Sequence, residues 1–254
     1  MTTIMITGAS RGLGLEFARQ FYSEECRVIA TCRNPKKANE LNSIGDIDVH
    51  SLDVTDDKSV ANLADKLRGE NIDILINNAG VIGQRDGFGR LDYDIWAETM
   101  DTNVFGPMRV AEAFRDNVMN SEKKQMIFIT SRMGSITEAV PNAYVYRSSK
   151  AALNMAVKCL SVELEQQGFF KEEQIWHLLR ELLPILQFIH QHQIIHRDIK
   201  PENIIRRTFP AINYQKPPHL LGENQAVKKL GKVGEIVLID FGVAKCLTGT
   251  GLIR

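Results

Sequence analysis

The stretch Thr7-Gly8-Ala9-Ser10-Arg11-Gly12-Leu13-Gly14 constrains the fold more than any other part of this chain. It lies between an apolar run at 4–7 and an amphipathic stretch at 13–23, which makes it a strand-to-helix turn carrying three glycines. Glycine at 8, 12 and 14 removes the Cβ atoms that would obstruct a tight turn, and lets backbone N–H groups and a helix N-terminus face an anion. The segment reads as a seat for a pyrophosphate. A turn that is glycine-rich for conformational reasons alone is the other reading of it.

The pattern that starts at this turn continues to residue 131. Short apolar, β-branched runs at 4–7, 27–31, 48–52, 72–77 and 126–130 alternate with helical stretches at 13–23, 35–42, 58–68 and 93–120. Right-handed crossovers between such runs predict a doubly wound, Rossmann-type α/β fold with a parallel sheet and a ligand crevice at the carboxyl ends of the strands. At those ends stand Asn77-Asn78-Ala79-Gly80, Asn103, Ser131 and Tyr146-Arg147-Ser148-Ser149-Lys150. In this order and spacing the motifs resemble the short-chain dehydrogenase/reductase family, over residues 1–168.

After the second strand, a dinucleotide site for NAD usually offers an acidic residue to the ribose hydroxyl, whereas this chain has Thr31-Cys32-Arg33-Asn34. Arg33, with Arg11 in the glycine-rich turn, suits the extra phosphate of NADP(H) better than NAD(H), unless both are ordinary surface charges. By resemblance, Asp53 and Val54 hold the adenine, and Asn78, Ala79 and Gly80 let the backbone approach the cofactor.

Hydride transfer between a nicotinamide and a carbonyl or alcohol requires a group that moves the proton at the substrate oxygen. Tyr146 is the candidate. Its phenol needs a neighbouring cation to act near neutrality, and Lys150 lies one helical turn on along the same face. A plain helix-surface pair is the alternative. By resemblance Lys150 also holds the nicotinamide ribose, Ser131 bonds the substrate oxygen and Asn103 positions a water for the proton relay. Ser135 is a second choice for the serine, and Tyr144 is excluded by its distance from Lys150.

Composition limits the partners. Lys+Arg and Asp+Glu both number 31, so no net field recruits nucleic acid or an anionic membrane. Four scattered cysteines lack metal or redox spacing and fit a reducing cytoplasm, and no leader or bilayer-length apolar run is visible. The expected partner is a small-molecule carbonyl or alcohol, and the family habit of pairing through the helices at 93–120 and 144–167 is compatible with a homodimer.

Beyond residue 168 the family's remaining strands and substrate-covering helices are not found. A long amphipathic pattern at 169–192 leads instead to Ile195-His196-Arg197-Asp198-Ile199-Lys200-Pro201-Glu202-Asn203, and later to Asp240-Phe241-Gly242. These resemble the catalytic loop and metal-binding turn of bacterial eukaryotic-type serine/threonine protein kinases. The resemblance implies that Asp198 orients a substrate hydroxyl, Lys200 steadies the transferred phosphate, and Asn203 and Asp240 hold magnesium for Mg-ATP. The kinase's ATP-gripping lobe and its later elements are not found, and 208–234 reads as a looped-out insertion rich in proline and lysine.

The expected organisation is therefore an NADP(H)-binding dehydrogenase domain at 1–168, with a parallel sheet lacking its last strands, joined to a mostly helical kinase fragment at 169–254. A fifth strand left at the sheet edge would expose unpaired backbone groups. The helix at 169–192 or the apolar run at 236–239 could cover it; pairing of 236–239 with its kinase-like neighbour at 204–206 is taken as the arrangement that excludes this. Three function classes follow: a short-chain oxidoreductase weakened by the missing substrate wall, a kinase-like protein, or a nonenzymatic hybrid.

Overall fold

The computed structural model describes residues 1–166, 204–205 and 235–240, with backbone alone described for the last two segments and the end of the final helix. The kinase-like residues Asp198, Lys200 and Asn203, the helix expected at 169–192 and the insertion at 208–234 lie outside the described residues. Among those described, the strands are β1 Thr3–Ile6, β2 Arg27–Cys32, β3 Asp48–Ser51, β4 Ile74–Asn77, β5 Gln125–Thr130, β6 Ile204–Ile205 and β7 Glu235–Asp240. The helices are α1 Gly12–Ser23, α2 Asn39–Asn42, α3 Asp57–Lys66, α4 Tyr93–Met100, α5 Gly106–Ala113, α6 Arg115–Met119 and α7 Tyr144–Gln166.

The strands form one sheet in the order β3-β2-β1-β4-β5-β7-β6, parallel except for the antiparallel β6–β7 pair. Every residue of β1, β4 and β5 is buried, as strands covered on both faces require. The pleat divides their side chains between two cores. Ile4, Ile6, Ile76 and Ile127 face the layer that contains Phe17 and Phe21 of α1. Met5, Leu75, Met126 and Phe128 face Leu63 of α3, Val110 of α5 and Leu153 and Val157 of α7.

The helix expected at 93–120 is broken. Pro107 has no N–H to give to the carbonyl of Asn103, and the chain widens into a π-helical turn at Asp101–Phe105, where the Gly106 N–H reaches back to the Asp101 carbonyl. The stretch expected as one helix at 35–42 likewise divides into a 3₁₀ turn at Pro35–Lys37 and the single-turn α2.

The sheet does not stop at β5: the apolar run at 236–239, one of the two segments expected to cover that edge, pairs with it. β7 pairs with β5 in parallel from Gln125↔Glu235 to Thr130↔Asp240, and with β6 through Ile204↔Ile239 and Ile205↔Leu238. The two pairings of 236–239 treated as exclusive both occur, because a strand has two hydrogen-bonding edges. The order of β1 to β5 is thereby extended by residues from the kinase-like part of the sequence.

Leu238 is paired to Phe128 on one side and Ile205 on the other, so Leu238→Pro removes an N–H from a strand flanked on both sides. The expected cost is about 1–3 kcal/mol for the unsatisfied ladder position, a few degrees in thermal midpoint. Thermal melts with light scattering check this; an unchanged midpoint would show that β7 does not support the sheet.

Candidate active site

The turn after β1 is held against the end of β4 by one side chain. Asn78 Nδ2 donates to the carbonyl oxygens of Thr7 at 2.9 Å and Gly8 at 3.1 Å, while Thr7 Oγ1 accepts from the backbone N–H of Asn78 and Ala79, each at 3.0 Å. Gly8 has φ +68°, and a Cβ there would lie 2.9 Å from the Ala79 Cα. At Gly14 a Cβ would lie 2.5 Å from both Asn78 Nδ2 and the Gly8 carbonyl oxygen, so only glycine permits the approach. The first turn of α1 has no acidic residue and no side-chain cap, which leaves its N–H groups to a ligand. This arrangement fits the phosphates of a dinucleotide.

The turn opens on a cavity of about 1040 Å³. Gly8, Ser10, Arg11, Gly12 and Leu13 line one part, with Arg33, Asp53, Val54, Asn78, Ala79 and Gly80 around it. Both arginines expected at the nucleotide thus border the same space. Asp53 Oδ1 accepts from the Thr55 N–H at 3.0 Å and the Thr55 hydroxyl at 2.7 Å, and neither bond uses Oδ2. Burial pushes the Asp53 carboxyl up, but the two Thr55 bonds and the nearby Arg33 guanidinium outweigh it and hold the carboxyl below its ordinary value.

The other part of the cavity carries Ser131, Met133, Tyr146 and Lys150. Ser131 follows β5 directly, and its Oγ accepts from the Met133 N–H at 3.1 Å, capping a short 3₁₀ turn. Ser135 does not line the cavity and instead accepts from the Glu138 N–H. Lys150 is 5% exposed, donates to the Ile129 carbonyl at 2.9 Å and lies 5.8 Å from the centre of the Tyr146 ring. Asn103, in the π-helical turn, is fully buried behind the wall. Its Oδ1 accepts from the Val81 N–H and its Nδ2 donates to the Val81 carbonyl, both at 2.8 Å. The four residues expected to act together are therefore brought together, three on the wall and one directly behind it.

Comparison with known proteins settles the lineage. The short chain dehydrogenase family profile matches residues 2–169. The chain belongs to that family. It is a family of NAD(P)-dependent oxidoreductases. An uncharacterised oxidoreductase of Schizosaccharomyces pombe is 32% identical over 172 residues, covering 65% of this chain and 68% of that protein. The C-signal protein of Myxococcus xanthus is 43% identical over 99 residues, covering 39% of this chain and 60% of that protein. The chain therefore spans less than two thirds of one of these relatives and barely more of the other. Among solved structures, NADPH-bound carbonyl reductase from chicken fatty liver superposes with a TM-score of 0.62 at 29% identity, covering 66% of this chain and 72% of that one. A short-chain dehydrogenase/reductase from Burkholderia multivorans with bound NADP gives 0.60 at 29% identity, covering 65% and 74%. A protein kinase domain profile matches residues 143–252, a span that begins inside the dehydrogenase match.

Several residues of this short-chain dehydrogenase's site carry no motif of their own. Cys32, Leu52, Thr55, Val81, Ile82 and Thr130 line the cavity, each next to or within a few residues of a recognised position. Adjacency was the available signal: strand ends at a crevice bring their neighbours with them. Among the described residues no cluster of His, Cys, Asp or Glu is arranged to hold a metal, and no helix is long and apolar enough to cross a membrane.

Gly14→Ala puts a methyl against backbone and a buried amide, with an expected loss of about 1–3 kcal/mol for overpacking and a lowered melting midpoint. A midpoint equal to the parent's would mean the turn can relax. For Asp53, a folded value below the ordinary one means that its contribution to stability is present at neutral pH and lost as pH falls through that lowered value. In Thr55→Val the carboxyl is expected to titrate higher than in the parent, as read by NMR of the Asp53 side chain; equal titration would remove the role given to Thr55.

Proposed function

We propose that this short-chain dehydrogenase is an NADP(H)-dependent oxidoreductase that interconverts a small-molecule carbonyl and alcohol. The observation that carries the reading is that Tyr146, Lys150 and Ser131 line one cavity together with the glycine-rich turn, Arg11 and Arg33. The solved relatives with NADP or NADPH bound support the choice of cofactor.

In this reading the residues Ser10 to Leu13 and the N-terminus of α1 bind the pyrophosphate, and Arg11 and Arg33 bind the additional phosphate. Asp53 and Val54 would hold the adenine, and Asn78 to Gly80 would let the backbone approach the cofactor. The bound nicotinamide supplies the hydride. Tyr146 moves the proton at the substrate oxygen, and the Lys150 ammonium favours its phenolate. Ser131 orients the substrate oxygen by a hydrogen bond, and Asn103 holds the wall from which a water is offered to the proton relay.

We also assign residues 1–168 to the dehydrogenase domain and 169–254 to a kinase-derived segment. The kinase profile match at 143–252 favours that second assignment. Under it, Asp198, Lys200, Asn203 and Asp240 would serve Mg-ATP; residues 1–166 form the dehydrogenase fold and not an ATP-gripping lobe, so phosphoryl transfer is not part of the proposed function. Ile95, Phe105, Met155 and Val162 are exposed on the α4–α5 and α7 region, which is consistent with pairing into a homodimer.

A panel of aldehydes and ketones with NADPH tests the reaction. Tyr146→Phe is expected to lower turnover by about 10²–10⁴-fold, the usual worth of a positioned acid–base group, with NADPH still bound. Retention of the rate would remove Tyr146 from the chemistry. Arg33→Ala is expected to weaken NADPH by about tenfold to a hundredfold through loss of a charge-assisted contact, and to leave NADH nearly unchanged; equal weakening of both would assign Arg33 no part in selection.

A further inference from the structure

Ser149 lies between the tyrosine and the lysine of the site, yet it does not line the cavity and nothing above gives it a role. It is 0% exposed, as is Asn103. Its Oγ donates to the Tyr146 carbonyl at 2.8 Å, which uses its single proton, and accepts from Asn103 Nδ2 at 3.0 Å.

The consequence for Asn103 is geometric. The two Nδ2 protons go to Ser149 Oγ and the Val81 carbonyl, and Oδ1 accepts the Val81 N–H. A flipped amide would set oxygen against the Val81 carbonyl and nitrogen against its N–H, so the Val81 pair permits one orientation, in which Ser149 Oγ is the second acceptor for Nδ2. Through Asn103 the buried hydroxyl thereby joins the backbone at Tyr146, on α7, to the backbone at Val81, another residue that lines the cavity. Trp96 Nε1 donates to the neighbouring Ser148 Oγ at 2.9 Å, a second tie to the same turn of α7, this one from α4.

We propose that Ser149 is a positioning residue: it anchors the Asn103 carboxamide to α7, and through it fixes Val81 against the turn of α7 that carries Tyr146 and Lys150. Its kinetic consequence rests on the reductase reading above, whereas its structural consequence does not. Removing the hydroxyl leaves one buried Nδ2 proton without an acceptor, so the amide keeps its Val81 pair but loses its anchor on α7, and the Val81 N–H loses steady protection.

The test is site-resolved amide hydrogen exchange on the full chain. In Ser149→Ala, exchange at Val81 is expected to rise about tenfold, with the amides of β1 and β4 unchanged, as local opening and not global unfolding requires. Asn103→Ala is expected to raise Val81 exchange as well, and the double variant to add nothing further, because both act through one interaction. Should Ser149→Ala fail to fold, Ser149→Cys keeps the volume with a weaker acceptor and is expected to show a smaller rise at the same amide. Unchanged Val81 exchange in the folded variant, or full additivity with Asn103→Ala, would overturn the proposal. With a reducible substrate in hand, Ser149→Ala is expected to lower kcat about tenfold with KM for NADPH nearly constant; a parent without turnover would count against the reductase reading while the exchange result still decides the role of Ser149.

Discussion

Asn78 reaches the carbonyl oxygens of Thr7 and Gly8 only because Gly14 has no side chain in the way. This interlock joins the end of β4 to the turn after β1 and sets the first turn of α1 at the mouth of the cavity. Thr7 completes it from the other side by accepting two backbone N–H groups of the β4 end. The floor of the nucleotide site is thus a crossed pair of hydrogen-bonding residues, with glycine as the space between them. The helix N-terminus, free of acidic residues and side-chain caps, then faces the cavity by geometry alone.

The wall that carries Ser131, Tyr146 and Lys150 depends on a second local departure from regularity. Pro107 cannot complete the helical ladder, and the π-helical turn at Asp101–Phe105 brings Asn103 inward to hold Val81 by both its N–H and its carbonyl. Such widened turns recur at functional positions because they re-aim one side chain without ending the helix. The parallel β7 extends the sheet beyond β5, which would otherwise end as an apolar edge, and its register carries Asp240 alongside Thr130, the residue before Ser131. A segment whose sequence resembles a kinase is therefore used here as sheet.

Much of this is legible in the sequence. The apolar runs gave β1, β2, β4 and β5 within a residue or two, since strands buried on both faces have a composition that few other elements share, and the half-exposed edge strand β3 followed from its place in the alternation. The glycine spacing, Asn78 and the Tyr146–Lys150 interval pointed to one crevice because the fold's topology gathers strand ends there. What was not legible depends on long-range partners. Ser131 is preferred to Ser135 from the sequence, with the long loop before Tyr146 leaving the second open, and the turn after β5 places only the first on the cavity. The break at Asn103 needed the hydrogen-bond pattern around Pro107, and Ser149 sits in the recognised motif without any local mark of its bond to Asn103. Pairing of β7 on both edges follows from where β5 ends in space, which composition does not encode.

The central claim is that the first 166 residues, completed by β7, form a working site for a phosphorylated dinucleotide. Thermal melting of the full chain with NADPH, NADH and no ligand tests it most directly, since a ligand that binds only the folded state raises the midpoint. The account predicts a cooperative transition that rises with NADPH and less with NADH. A transition unmoved by either nucleotide would contradict it.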